Sequence, residues 1–386
     1  PKSDFGGPTK ALTRASGCCQ CAAAGQTQED PSDAETRSRP AATRAAPGNL
    51  AGRIRSLANG LRRASRRAMT TGTGLDDVKK GAFVRTESQF RNWVKADGST
   101  DFKPEADRYH LVISLACPWA CRCLAVIKLK GLDKVISHTV VNPLFQRTSD
   151  KDEHRGWCFE PDNQYRGAKT VRDLYERESS NTTRYTVPIL FDQASEKIVN
   201  NESSEILRML NSEFNELATK NKDLDLYPEA SREEIDSVNE WVYPQINNGV
   251  YRSGFAQTQE AYEEAVADVF AGLDRAEDIL SKQRYIASSD QITEADIRLF
   301  VTLVRFDEVY HGHFKCNKKR IADYPNLINY TREIYQLDGI SETVDMHHIK
   351  EHYHRSHPTI NPFGIVPVGP GVDFSLPHDR AEKFAT

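Results

Sequence analysis

The sharpest change of pattern along the chain lies at Tyr109–Leu115. These residues (YHLVISL) are apolar and β-branched, as in a buried strand. After Cys117 and Pro118, Ala120–Lys130 carries apolar side chains at helical spacing and stops at Gly131, a common helix end. Lys134–Val141 (KVISHTVV) predicts a second strand, so strand, helix and strand make a βαβ start. A long polar stretch follows, 142–183, with Trp157, Cys158 and Phe159 in it and little periodicity before Val171–Arg177. Irregular segments of that length usually carry function or move. Tyr185–Asp192 (YTVPILFD) predicts a third strand, with Pro188 placing it at an edge or in a special turn. Lys197–Asn200 is a short fourth strand, and Asn201-Glu202-Ser203 opens a helix over Ser204–Phe214.

From Ser231 the period becomes helical. Ser231–Tyr243 is amphipathic and ends or bends at Asn247-Asn248-Gly249. Gln257–Lys282 is one long helix, and Thr293 to Asp296 form a capping-box start for an apolar helix over Ile297–Val309. Pro325–Leu337 and Ser341–His354 add two more, and the tail from Pro358 is rich in Pro and Gly and reads as extended chain. The order predicts α/β followed by all-α: a thioredoxin-like domain at 108–216 and a helical domain at 228–357. An N-terminal extension at 71–107 precedes them, and the tail occupies 358–386.

Charge changes the picture at the N-terminus. Residues 1–70 hold 12 Lys and Arg against 5 Asp and Glu, so a chain of net −4 has a body of −11. A mildly acidic body argues against nucleic acid as the main partner. No run is long and apolar enough to span a bilayer, so no membrane partner is expected. The leader is poor in aromatics and reads as disordered. Its basic stretch Leu50–Met69 fits an organellar transit peptide, or else an upstream extension with Met69 as initiator. The location expected is therefore cytoplasmic, or plastid or mitochondrion if 1–68 is a transit peptide. The eight cysteines lack the density of a disulfide scaffold, which suits a reducing compartment.

Candidate chemistry centres on Cys117. A buried, inert thiol is the commonest fate of a free cysteine. Here the order strand–Cys–Pro–helix favours a reactive one. Pro118 takes the first helical position, and free N–H groups with the positive helix end face the sulfur, an arrangement that lowers a thiol pKa. Ser203 at a helix start offers donors to a carboxylate, although a simple helix cap is the blander reading. A cis Val187–Pro188 bond would leave the Val187 backbone free to pair with an extended ligand. Cys121 lies one turn beyond Cys117 without Cys-x-x-Cys spacing, so a monothiol mechanism is expected. The Cys18, Cys19 and Cys21 cluster and the histidines at 311–313 and 347–357 show no ligand set of known spacing, and no metal is expected.

A thioredoxin-like half followed by helices resembles the glutathione transferase superfamily. Within it, Cys117-Pro118-Trp119-Ala120 is similar to the CPWA signature of the glutathionyl-hydroquinone reductases, the Xi class. The lead-in GAFVR…FRNW, Asn247–Phe255, Tyr310–Asn317, His352–His357 and the tail NPFGIVPVGP resemble that family too, over about residues 80–371. The resemblance implies Cys117 as nucleophile and Trp157 lying over glutathione. It implies Val187 before Pro188 pairing with the cysteinyl part, and Glu202 with Ser203 holding the γ-glutamyl end. Tyr251, Tyr310 and Tyr353 would form the quinone pocket, where otherwise each would read as a core tyrosine with one satisfied hydroxyl. Glutathione is then the co-substrate, glutathionylated hydroquinones are the substrates, and a homodimer is expected. The alternatives are a general Cys-type glutathione transferase, dehydroascorbate reductase or thioltransferase, and a non-catalytic transferase-like module.

Overall fold

The computed structural model describes residues 78–182 and 184–385. The basic leader, its transit-peptide reading and the Cys18, Cys19 and Cys21 cluster lie outside the described residues. The extension opens with a hairpin of β1 (Val78–Lys79) and β2 (Ala82–Phe83). The central strand is β3 (Tyr109–Ile113), buried at every position. It leads through Cys117 into α1 (Pro118–Lys130) and returns as β4 (Ile136–Val140), parallel to β3. Parallel neighbours need a crossover, and α1 is that crossover. Gly131 ends α1 at φ +61°, and a Cβ there would also strike Thr219.

The expected irregular insertion holds a small pair of strands, β5 (Gln146–Arg147) and β6 (Arg155–Gly156). It ends in α2 (Val171–Glu178), closed by a Thr170–Asp173 capping box. The third strand is shorter than its apolar run: β7 spans Ile189–Asp192, beyond the cis Val187–Pro188 bond. It pairs antiparallel with β3 and with β8 (Lys197–Asn200), giving the order β4-β3-β7-β8. The extension then covers the β8 edge: Asn92 N–H donates to Val199 O and Asn201 N–H to Phe90 O, both at 3.0 Å. The next helix, α3 (Ser203–Ser212), begins one residue earlier than its pattern suggested, because Glu202 rather than Ser203 caps it.

The helical half begins with α4 (Arg232–Trp241). At the predicted bend the chain widens into a π-turn over Val242–Asn247 and resumes as α5 (Gly249–Gly254). The long α6 spans Gln259–Lys282. The centre is α7 (Glu294–Arg305), whose residues are all buried except Arg298. It packs against α1, and a second π-turn, Phe306–Tyr310, continues it where an unbroken α-helix was expected. After α8 (Pro325–Tyr335) comes α9 (Met346–Ser356), which starts later than expected because Ser341–Thr343 is a 3₁₀ turn and Asp345 caps the helix.

The tail is extended, as its composition suggested, until α10 (Arg380–Lys383). It is tied down by polar contacts. Glu308 accepts from Gly371 N–H at 2.8 Å, and buried Arg380 donates to Leu280 O at 3.1 Å. The fold is thus α/β plus all-α: a thioredoxin-like sheet with its helices, followed by a helical domain.

Candidate active site

One cleft of about 360 Å³ runs between the β3–α1 turn, residues 184–188 that lead into β7, the start of α3 and the helices α5 and α9. Cys117 lies at its middle, in extended conformation (φ −80°, ψ 116°) as the residue before α1, with Pro118 at the first helical position. Its thiol donates to Val187 O at 3.6 Å, so nucleophile and Val187 backbone do meet. The expected lowering of its pKa is not what the site produces. Burial pushes the thiol up to about 11, against the pull of the Ala120 and Trp119 N–H groups and of Arg305. Two backbone dipoles do not replace the lost water.

At one end of the cleft lies an anionic and hydroxylic cradle. Glu202 accepts from Ser204 N–H at 3.1 Å, from Ser204 Oγ at 2.7 Å and from Ser88 Oγ at 3.0 Å. Arg122 Nη2 donates to Ser203 Oγ at 2.6 Å and stands 3.6 Å from Glu202. Burial raises the Glu202 carboxyl, but Arg122 and the serine donors outweigh it and hold it below the ordinary carboxylate range. Neither Arg122 nor Ser88 was found from the sequence. The signal for Arg122 was a cation in the apolar first half of α1, well before the lysines of its last turn; it is 3 % exposed and packs over Trp119. Arg85, from the extension, was missed too. Its guanidinium lies 4.8 Å from the Trp119 ring and 5.1 Å from that of Tyr251.

Trp157 lines the cleft from the insertion, stacked on His352 at 4.6 Å and edge-on to Phe145 at the same distance. Val187 and Pro188 line it opposite. At the other end the three tyrosine hydroxyls form one chain. Tyr251 OH and Tyr353 OH are 2.5 Å apart, and Tyr310 OH and Tyr353 OH 2.9 Å. Tyr251 and Tyr353 reach the cleft; Tyr310 is fully buried behind them and does not line it. Burial pushes the Tyr251 phenol up to about 12 and the other two well above 10, so all three stay protonated donors.

The histidines pack around this end. His352 Nδ1 donates to Pro143 O at 2.8 Å, and His313 and His357 share a 3.1 Å contact. Among the described residues no group of three or more His, Cys, Asp or Glu could hold a metal. Cys123 is buried and bonded to backbone carbonyls, while Cys121 lies beside Arg305.

A thioredoxin-like sheet with a cysteine at the first helix start, facing a helical domain across a cleft, defines a cysteine-type glutathione transferase. Comparison with known proteins agrees. The family model for the glutathione S-transferase N-terminal domain matches residues 116–213, and that for the C-terminal domain matches 259–333. The glutathionyl-hydroquinone reductase YqjG of Escherichia coli is 49 % identical over 320 residues, covering 79 % of this chain and 94 % of that protein. Its glutathione-bound structure superposes with a TM-score of 0.70, over 76 % of this chain and 97 % of the other, at 49 % identity. The glutathionyl-hydroquinone reductase PcpF of Sphingobium chlorophenolicum is 47 % identical over 296 residues, 75 % of this chain and 90 % of that protein. The Xi glutathione transferase of Phanerochaete chrysosporium gives a TM-score of 0.71 at 49 % identity, over 78 % and 96 % of the two chains. The chain belongs to the glutathionyl-hydroquinone reductases, the Xi class of the glutathione transferase superfamily.

Proposed function

We propose that this enzyme removes glutathione from glutathionyl-hydroquinones, using glutathione as co-substrate. The observation that carries the proposal is the placement of Cys117 between two unlike ends of one cleft. The Glu202–Ser203–Arg122 cradle suits a zwitterionic peptide end, and the Tyr251–Tyr353 pair suits an oxygenated ring. Glu202 and Ser203 hold the γ-glutamyl end in this reading. The Val187 backbone before Pro188 pairs with the cysteinyl part, and Trp157 covers the peptide.

In the first step the Cys117 thiolate attacks the glutathionyl sulfur. An S–S bond forms and the S–C bond breaks; in the keto tautomer the ring carbon already carries its new proton, so the electron pair passes onto the conjugated ring oxygen, which takes a proton. Free hydroquinone leaves, and Cys117 remains as a mixed disulfide with glutathione. A second glutathione attacks that disulfide, giving oxidised glutathione and the free thiol. Carbon is a poor leaving group. The ring must therefore be held as its keto tautomer, so that the departing charge spreads onto an oxygen facing a hydroxyl donor. The tyrosine chain suits this task. Three hydroxyl protons serve two internal hydrogen bonds, which leaves one proton free to donate to a ligand.

The test is to incubate the protein with glutathionyl-menadiol and glutathione and follow free menadiol. Turnover by the native protein and none by Cys117→Ser is expected. No product from the native protein sinks the activity, and full activity of the serine variant sinks the mechanism. Without free glutathione, mass spectrometry should find about +305 Da on Cys117 and on no other cysteine.

The protein is further proposed to be a homodimer, a state that suits the solvent-facing Phe363, Ile365 and Val368 of the tail. Sedimentation equilibrium of the full chain should return twice the 43.5 kDa chain mass; a monomer at micromolar concentration refutes it. Cytoplasmic residence is proposed as well, with a plastid or mitochondrial location if 1–68 act as a transit peptide. Fractionation of cells decides between them, and N-terminal sequencing of the native protein shows whether it starts near Met69.

A further inference from the structure

Arg305, the last residue of α7, is fully buried and fully engaged, yet every partner it touches is neutral. Its Nε donates to Ala116 O at 3.1 Å, its Nη2 to Leu115 O at 2.9 Å and to Cys121 Sγ at 3.0 Å, and its Nη1 to Val301 O at 2.7 Å. Among the described residues no carboxylate pairs with it. A buried cation without a counter-charge is costly, and a cation that only needed carbonyl partners could be replaced by an apolar residue of similar volume.

The location supplies a reason for the charge. Two of the three carbonyls held by the guanidinium, Leu115 O and Ala116 O, are those directly before Cys117, in the turn that aims the nucleophile. The ionisable groups within electrostatic reach come from every surrounding element: Cys117 and Cys121 at α1, Tyr251 on α5, Tyr310 after α7, and His352 and Tyr353 on α9. The acidic group Asp345 acts on Cys121 and is already occupied in capping α9. None of the thiols, the phenols or the imidazole is negative in the resting, protonated site. The reaction, however, makes negative charge twice: on the Cys117 sulfur before attack and on the ring oxygen as the S–C bond breaks.

We infer that Arg305 is the positioning residue of this site: from the helical half it clamps the turn that carries Cys117 and supplies the fixed positive charge against which the thiolate forms. The inference rests on the reading of Cys117 as nucleophile but not on the identity of the substrate. The clamp crosses from one domain to the other, between residues 189 and 190 apart in the chain, so the thioredoxin-like half does not set its own nucleophile alone.

The experiment titrates Cys117 in the full chain without substrate. The absorbance of thiolate at 240 nm is measured against pH as the difference between each protein and its Cys117→Ser counterpart, which cancels the other cysteines. Alkylation of Cys117 by iodoacetamide at pH 7.5, read by peptide mass spectrometry, is the second readout. Arg305→Met should raise the Cys117 pKa by about one unit or more, with alkylation about tenfold slower or worse. Arg305→Lys keeps the charge and should titrate within half a unit of the native protein, while losing activity through the lost fork. Arg305→Met with native circular dichroism, native melting and an unchanged titration overturns the inference. If the methionine variant does not fold, Arg305→Lys decides: a shift of one unit or more there overturns it equally. Because the titration needs no turnover, it stands apart from any failure of the reductase assay.

Discussion

At the scale of single residues, the site depends on donors that stay protonated while the nucleophile does not. The Tyr353 hydroxyl is the hinge of this division, since it touches both other tyrosines and also faces the cleft. Tyr353→Phe should lower kcat/KM toward glutathionyl-menadiol by about 2–4 kcal/mol, roughly 30- to 1000-fold, with binding of glutathione itself little changed. Tyr310→Phe should cost less, because Tyr310 only orients its neighbour. Equal, small losses in the two variants, measured by steady-state kinetics, would remove the ring-oxygen donor from the mechanism. The sequence made Cys117 legible because its chemistry is local: a strand, a cysteine, a proline and a helix are consecutive. Arg122, Ser88, Arg85 and Arg305 were illegible for the opposite reason. Each matters through a partner 81 to 190 residues away, and pattern along a chain carries no distance across it.

At the scale of elements, α7 is what the site is built upon, and its first turn is what holds α7. Asp296 is fully buried and accepts four hydrogen bonds: from Thr293 N–H and Thr293 Oγ1, Ile286 N–H and the Tyr330 hydroxyl, each at 2.8 Å. Asp296→Ala leaves those donors without acceptors and should destabilise the protein by about 2–4 kcal/mol, read from the urea midpoint. A change under about 0.5 kcal/mol would mean that water enters and replaces the carboxylate. The capping box was visible as Thr-x-x-Asp before an apolar run, and the start of α7 was expected there. Its end was not. The pattern ran on as helix to Val309, but the π-turn at Phe306–Tyr310 inserts a residue and turns Tyr310 toward Tyr353. Gly254 shows the same limit. Its place in α5 reads as a weak helix position, yet the Phe314 ring packs so close that a Cβ would overlap it.

At the scale of the whole molecule, the helical half carries a set of histidines buried as neutral imidazoles. Burial holds His352 at about 4, His313 at about 3 and His357 well below its usual value. In the unfolded chain each takes up a proton near pH 6.5, while the native state refuses it until much lower pH. Protons therefore favour unfolding. The stability these groups allow is full above about pH 6.5 and is lost as pH falls toward their folded values, by up to about 1.4 kcal/mol per unit for each histidine. Urea melts at pH 7.5, 6.0 and 5.0 should show a falling midpoint, and Asn at His313 and His357 together should flatten it. A midpoint independent of pH over that range would show that water reaches these rings.

The chain by itself determined the elements whose causes are local. These are the βαβ start with Cys117 at its turn, the stop at Gly131, the capped start of α7, and the change from period two to period 3.6 near Ser231. It also carried the resemblance, because the motifs are contiguous runs. Only the tertiary structure decided how strongly each group is held and by what. It placed Glu202 rather than Ser203 at the cap of α3 and set Arg122 between them. It withdrew Tyr310 from the cleft wall and gave the Cys117 thiol a high pKa where the helix start alone suggested a low one. The physical reason is common to all of these. Desolvation and electrostatics depend on what closes over a group in space, and in this enzyme what closes over Cys117 is the helical half, through Arg305 and the tyrosines.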